Sequence, residues 1–294
     1  MQVTESYLAS YLNNSINTSS SALAKTQQEL STGYAVNVPS DNPVATAQIL
    51  SINDSLSNIT QYQTDATSAT NSLSYADSQL QSVQNLLTQA RTLAVSSANG
   101  STLSTSAMAA NAAQVSSIIS EVTTIANSQL TGSYIFSGTQ TGTQPYTPGD
   151  TTYTYNGNTE ALTATVGPTQ QVQVNTPGST IFAPIFSALQ SLKTDITSGN
   201  ASQISNVDIG NFDTANANLN QVRANIGSNI DQLNDVSSRL STATGDLQNQ
   251  LSSVQDVDIA TVYTQMQTDQ NVYQASLEAT AQTFKYSLSD FITA

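Results

Sequence analysis

The 294-residue chain contains no cysteine, no histidine and no tryptophan, and charged residues make up only 9% of it. Each absence excludes a class of chemistry. Without His and Cys, zinc, iron–sulfur and haem sites lose their usual ligands, and neither a Ser-His-Asp nor a Cys-His nucleophile can be built. A chain without thiols is also indifferent to redox compartment. Basic residues are scarcest of all: 6 Lys+Arg stand against 20 Asp+Glu, a net charge of −14. Six scattered cations offer no patch able to displace counterions from a phosphate backbone. Nucleic acid is therefore excluded as a partner, and an anionic membrane surface is disfavoured. No run approaches 18 consecutive apolar residues, so no membrane span is expected. Met1 to Leu8 lack the basic and apolar regions of a secretory leader, and no cleaved signal is expected. Neither a metal nor any other cofactor is expected.

What is present is order along the chain. Five of the seven prolines (Pro145, Pro148, Pro168, Pro177, Pro184) fall in one central stretch, as do seven of the thirteen glycines, from Gly132 to Gly178. From Val44 to Asn99 there is neither. In that stretch Ile52, Ile59, Ala66, Leu73, Leu80, Leu87 and Ala94 recur every seven residues, with Leu56, Ala76, Val83 and Ala90 filling the seam. Asn42 or Asp41 can cap its start and Pro43 suits the first helical position, so one very long helix is expected. A second series, Phe212, Leu219, Ile226, Leu233, Leu240, Leu247 and Val254, has the same period. Sustained heptads mean helices packed lengthwise at a shallow angle. Gly227 and Gly245 inside this series read as bends or close approaches.

Between the two series come a helical candidate, Ala107 to Leu130, and the Gly/Pro-rich centre. The centre alternates instead. Tyr153 and Tyr155 precede Asn156-Gly157, a hairpin turn signal, and Leu162, Ala164 and Val166 follow with period two; Val172 and Val174 suggest a further strand. The two ends are single amphipathic helices. Residues 1–32 carry Leu8, Leu12, Ile16, Leu23 and Leu30; residues 259–292 carry Ile259, Met266 and Tyr273, then Leu277, Phe284, Leu288 and Phe291 after a four-residue shift. Alone, each would expose an apolar stripe, which monomers avoid. The ends are therefore expected to pack on each other and on other subunits.

The expected fold is mainly α: a long antiparallel, coiled-coil-like bundle built from both chain ends, with a small β-rich insert. Residues 1–36 and 256–294 would be terminal helices for axial assembly, 37–132 and 185–255 the bundle core, and 133–184 the insert.

Particular segments carry a resemblance. Leu30-Ser31-Thr32-Gly33 followed by Pro39-Ser40-Asp41-Asn42-Pro43 is similar to the amino-terminal motif of the hook-associated protein 3 family, within the flagellin superfamily, with Asn42 in place of that motif's second Asp. Gln89 to Gly100, ending Ala98-Asn99-Gly100, resembles a segment shared by flagellins. Gly132 to Thr139 and Tyr153 to Gly157 resemble the family's insert, and Tyr273 to Leu277 with Ser287 to Ile292 resemble its tail. The charged positions usual in these helices are largely Ser, Thr, Gln or Asn here.

The resemblance implies a structural part of the bacterial flagellum, outside the cell at the hook–filament junction. Subunits would form a ring, with another hook-associated protein on the hook side and flagellin on the filament side. Export would be unfolded, through the flagellar type III path, with an export chaperone as a further partner. The alternative is a short flagellin that forms the filament itself.

Catalytic readings fare badly. Asp256 and Asp258 are two apart on the chain and would not face each other on a helix, while Asp231 and Asp235 sit at exposed heptad positions. A glycosidase hidden in the insert would need two converging carboxylates, and the insert offers Asp150 and Glu160. No catalytic residue is assigned, and Arg91 is given a structural role.

Overall fold

The computed structural model describes residues 2–99, 104–147 and 153–292. In chain order come helices α1 (Gln2–Thr32), α2 (Pro43–Ala98) and α3 (Thr105–Ala126), then strands β1 (Gln129–Leu130), β2 (Ser133–Tyr134), β3 (Tyr146–Thr147), β4 (Thr154–Tyr155), β5 (Thr163–Thr165) and β6 (Gln171–Gln173). Helix α4 (Gly178–Ser198), a short turn α5 (Ala201–Gln203), a π turn (Ile204–Asp208), α6 (Ile209–Gln255) and α7 (Ile259–Ile292) complete the chain. The fold is the expected one, long helices with the ends paired and a small β-rich insert. Two compact units emerge: residues 1–58 with 243–294, and residues 59–242.

In the larger unit the heptad positions form the core. Leu73, Leu80 and Leu87 of α2 are buried together with Phe212, Leu219, Ile226 and Leu233 of α6; Ile59 and Leu240 are half-buried. Helix α3 adds Val115, Ile118 and Val122, and α4, packed against it, adds Ile181, Phe182, Ile185 and Leu189. Each such side chain contributes about 1.5–3 kcal/mol by leaving water. In the smaller unit Ile52 is buried and Leu247 half-buried. Gly227 and Gly245 lie inside α6, where an added Cβ would meet nothing within 4 Å, so neither marks a close approach.

Helix starts follow the chemistry of their first residues. Asn42 Oδ1 accepts the Ala45 amide at 3.1 Å and Pro43 fills the first turn, so Asn42 rather than Asp41 caps α2. Asp41 shapes the preceding loop instead, accepting the amides of Asn37 and Val38. Helix α3 is capped by Ser104, whose side chain accepts the Ala107 amide, and it ends at Ala126 rather than continuing to Leu130. Leu130 belongs to a hairpin in which Leu130 pairs with Ser133 across Thr131-Gly132. Both turn residues have positive φ, 50° and 83°, the geometry of a type I′ turn.

The hairpin read at Asn156-Gly157 is not there. Strand β4 pairs backward with β3, and β5 pairs with β6. Gly157 serves another need: a Cβ there would lie 2.5 Å from the Tyr155 hydroxyl oxygen and 2.6 Å from the Ser137 carbonyl. Strands this short satisfy few backbone groups, and three asparagines supply the difference. Asn127 accepts the Tyr146 amide and donates to the Tyr146 carbonyl, both at 2.8 Å. Asn158 accepts the Thr139 amide, and Asn175 joins the Leu162 amide to the Gly138 carbonyl. Aromatic rings fill the centre, with Tyr153 stacked on Phe186 at 4.2 Å and Phe136 edge-on to Phe182 at 5.0 Å. Burial pushes the phenols of Tyr146 and Tyr155 up, so both stay neutral hydrogen-bond donors.

Within the 133–184 segment, residues 178–184 are helical. Gly178 opens α4 with its amide donating to the Phe136 carbonyl at 2.8 Å, and a Cβ there would also lie 2.8 Å from that oxygen. Pro184 sits inside that helix and cannot donate to Thr180, four residues back. The orphaned Thr180 carbonyl accepts Asn218 Nδ2 from α6 at 2.8 Å. A proline that read as a boundary is tolerated because a neighbouring side chain replaces its bond.

Candidate assembly interface

The smaller unit is built on α1 and α7, which pack against each other and run antiparallel. Helix α1 stops at Gly33, whose φ of +76° turns the chain out of the helix while its amide still reaches the Glu29 carbonyl at 2.8 Å. The two connecting segments are then zipped. The Ala35 amide donates to the Gln255 carbonyl at 2.7 Å, and the Val257 amide donates to the Gly33 carbonyl at 3.0 Å. Asp258 caps α7, accepting the Ala260 amide and the Thr261 hydroxyl. Those bonds, the hydroxyl foremost, hold its carboxyl below the usual carboxylate range. The Asp41 carboxyl is likewise lowered by the amides of Val38 and Asn37 and by Lys25, 3.9 Å away.

Along the pair, burial is incomplete. Leu12, Ile16, Leu23 and Leu30 of α1 and Met266 and Tyr273 of α7 are half-buried. Among the described residues of the pair, Thr26, Val262 and Thr280 are the buried points, and the Thr26 hydroxyl donates to Asp269 Oδ2 across the pair at 3.1 Å. Leu8 is 44% exposed, Leu277 41% and Ile259 62%. The side chains of Phe284, Leu288 and Phe291 lie outside the described residues.

Sequence spacing missed a second set. Tyr7 and Tyr11 on α1, and Tyr263 and Val272 on α7, are exposed off the heptad register, as are Val44 and Leu50 on α2. The signal was there as four-residue steps, Tyr7 to Tyr11 and Ile259 to Tyr263. Of the exposed large apolar side chains among the described residues, Val207 is the single one outside this unit.

Elsewhere the singled-out residues do structural work. Arg91 Nε donates to Asp213 Oδ1 at 2.7 Å, a bond that raises the arginine and lowers the aspartate. Asp231 and Asp235 are exposed, and Asp150 lies outside the described residues.

Comparison with known proteins fits this layout. Residues 3–141 match the bacterial flagellin N-terminal helical region and residues 209–292 match the bacterial flagellin C-terminal helical region, together more than half of the chain. The chain belongs to the flagellin superfamily. Within it, flagellar hook-associated protein 3 of Salmonella typhimurium is 27% identical over 288 residues, covering 88% of each chain. The Escherichia coli protein of the same name is 26% identical over 279 residues, covering 86% of this chain and 87% of its own. Among solved structures, a putative flagellar hook-associated protein from Vibrio parahaemolyticus superimposes with a TM-score of 0.65 at 21% identity, covering 74% of this chain and all of its own. These flagellin-superfamily relatives are structural proteins of the flagellum.

Proposed function

We infer that the chain is a structural component of the bacterial flagellum, a hook-associated junction protein that links the hook side to the flagellin filament through helix–helix packing. One observation carries this reading. The exposed apolar side chains gather on the unit that pairs the chain ends, while the larger unit keeps its own core closed. Tyr7, Leu8, Tyr11, Ile259, Tyr263, Val272 and Leu277 are the contacts offered to neighbours. The half-buried stripe from Leu12 to Leu30, with Met266 and Tyr273, zips α1 to α7 and becomes fully buried when other subunits close over it. By sequence spacing alone, Phe284, Leu288 and Phe291 are assigned to the same assembly role.

Copies of the chain form a ring, with another hook-associated protein on one side and flagellin on the other. The chain leaves the cell through the flagellar export path, and an export chaperone covers the apolar ends beforehand. No catalytic step is part of this role: assembly and load transfer rest on lengthwise packing.

A deletion strain tests the reading, with motility and secreted protein examined together. Immotile cells that keep hooks and shed unassembled flagellin are expected. Cells with hooks but neither filaments nor shed flagellin would mean that this chain is itself the filament.

A further inference from the structure

Asp208 lies in the π turn ahead of α6, and its side chain is completely inaccessible to water. Its Oδ1 accepts the Ser191 hydroxyl at 2.6 Å, while its Oδ2 has no hydrogen-bond partner. The same hydroxyl lies 3.5 Å from Asp195 Oδ2, one turn further along α4. Two carboxyl groups therefore flank one hydroxyl proton. Helix α4, α5 and the π turn pack around the site. Asp195 is the titratable group that faces Asp208; Lys193, the other titratable residue of α4, is exposed, and α5 and the π turn carry none besides Asp208 itself.

Full ionisation would serve this pair badly. A buried carboxylate would be left with one oxygen unmet and a second negative charge beside it. A single proton removes both difficulties. It cancels one charge and turns the orphan acceptor into a donor, with the Asp195 carboxylate as its acceptor. We propose that Asp208 is protonated in the folded protein, its proton held on Oδ2 beside Asp195, and that the unit of residues 59–242 takes up this proton as α4 docks on the π turn. Burial first, then the charge of Asp195, pushes the Asp208 carboxyl up, with Ser191 opposing.

The sign of the effect follows. A carboxyl whose proton affinity rises on folding adds stability that is complete below the unfolded value, near 3.9, and is lost as pH rises through the folded one. Through this carboxyl the unit gains stability in mild acid relative to neutrality. This stands apart from the flagellar reading, since it concerns one corner of one unit. A bound calcium ion is the competing occupant, but two carboxylates and a hydroxyl fall short of the roughly 6–8 oxygens that calcium takes.

Thermal melting of the full chain between about pH 4 and pH 8, with chelator present, tests the proposal. The wild type should lose roughly 3–5 °C in Tm across this range for each tenfold gain in proton affinity on folding. Asp208→Asn should lack that step. Asp195→Asn should shrink it by removing the repelling charge, and Ser191→Ala should enlarge it by removing the donor to the ionised form. A full-sized step in Asp208→Asn overturns the proposal. Should that variant not fold, an unchanged step in both other variants overturns it equally. A rise in neutral-pH Tm on adding calcium, seen in the wild type and absent in Asp208→Asn, would also overturn it and make this a cation site.

Discussion

Arg223 of α6 grips Asp77 of α2 with two bonds, Nε to Oδ1 at 2.8 Å and Nη2 to Oδ2 at 3.1 Å, while its third nitrogen reaches Gln84 Oε1 at 2.7 Å. Asp77, Gln84 and Arg91 are spaced by seven along α2, and all face α6. Gln84 also donates to Asn220, and Arg91 closes the row on Asp213. A polar ladder thus runs beside the apolar seam with the same period. An apolar heptad can slip by one repeat at little cost, whereas a planar fork on a carboxylate fits one register. In a chain with so few cations, two of them are committed to fixing how α2 lies on α6.

The first prediction concerns that fork. Arg223→Met keeps the aliphatic stem but leaves Asp77 unpaired, and should lower stability by about 1 kcal/mol. Asp77→Asn in the same chain should cost little more. A double-mutant cycle by chemical denaturation checks this, with a coupling of about 0.5–1 kcal/mol expected. Strictly additive losses would show that the two groups do not act as a pair.

The core seam gives a larger effect. Leu80 is fully buried, and Leu80→Ala should cost about 2–5 kcal/mol through lost transfer energy and the cavity left behind. Tyr11→Ser, at a side chain that is 64% exposed, should leave the melting curve of the isolated chain nearly unchanged. Calorimetry on the two variants side by side checks the contrast.

Thr131 offers a gain instead of a loss. A β-branched residue at φ 50° in a two-residue turn is strained, and Thr131→Gly should stabilise the protein by about 1 kcal/mol. A lower midpoint in denaturant for the glycine variant would contradict the turn assignment.

Pro184 and Asn218 make a conditional prediction. Asn218→Ala should cost up to about 1 kcal/mol because Thr180 loses the donor that stands in for the proline. In a Pro184→Ala background the helix can make that bond itself, and the same change should cost measurably less. Equal costs in both backgrounds would mean that Asn218 acts elsewhere.

How much of this was legible depended on whether the signal repeats. Leu73, Leu80 and Leu87 announce themselves because one face returns to the same partner every seven residues, so the long helices and their buried side could be read directly. The paired ends were legible for the same reason. The insert was legible as β-rich but its strand pairing was not, since its strands are two or three residues long and are held by Asn127, Asn158 and Asn175, whose roles depend on contacts distant in sequence. Asn156-Gly157 has the composition of a hairpin turn, yet its glycine answers a close approach; Thr131-Gly132 is the hairpin turn, and threonine hides it. Pro184 misled because the side chain that compensates for it lies in α6. Tyr7, Tyr11 and Tyr263 were passed over because they stand off the heptad register, which is also why α1 and α7 do not cover them.

In the proposed role, these uncovered side chains hold the chain to its neighbours in the flagellum. The most direct measurement is motility of a deletion strain complemented with a chain carrying Tyr7→Ser, Tyr11→Ser, Ile259→Ser and Tyr263→Ser, alongside the Tm of the purified variant. A normally folded protein, found in the medium with unassembled flagellin, and immotile cells are expected. Full motility from that variant would contradict it.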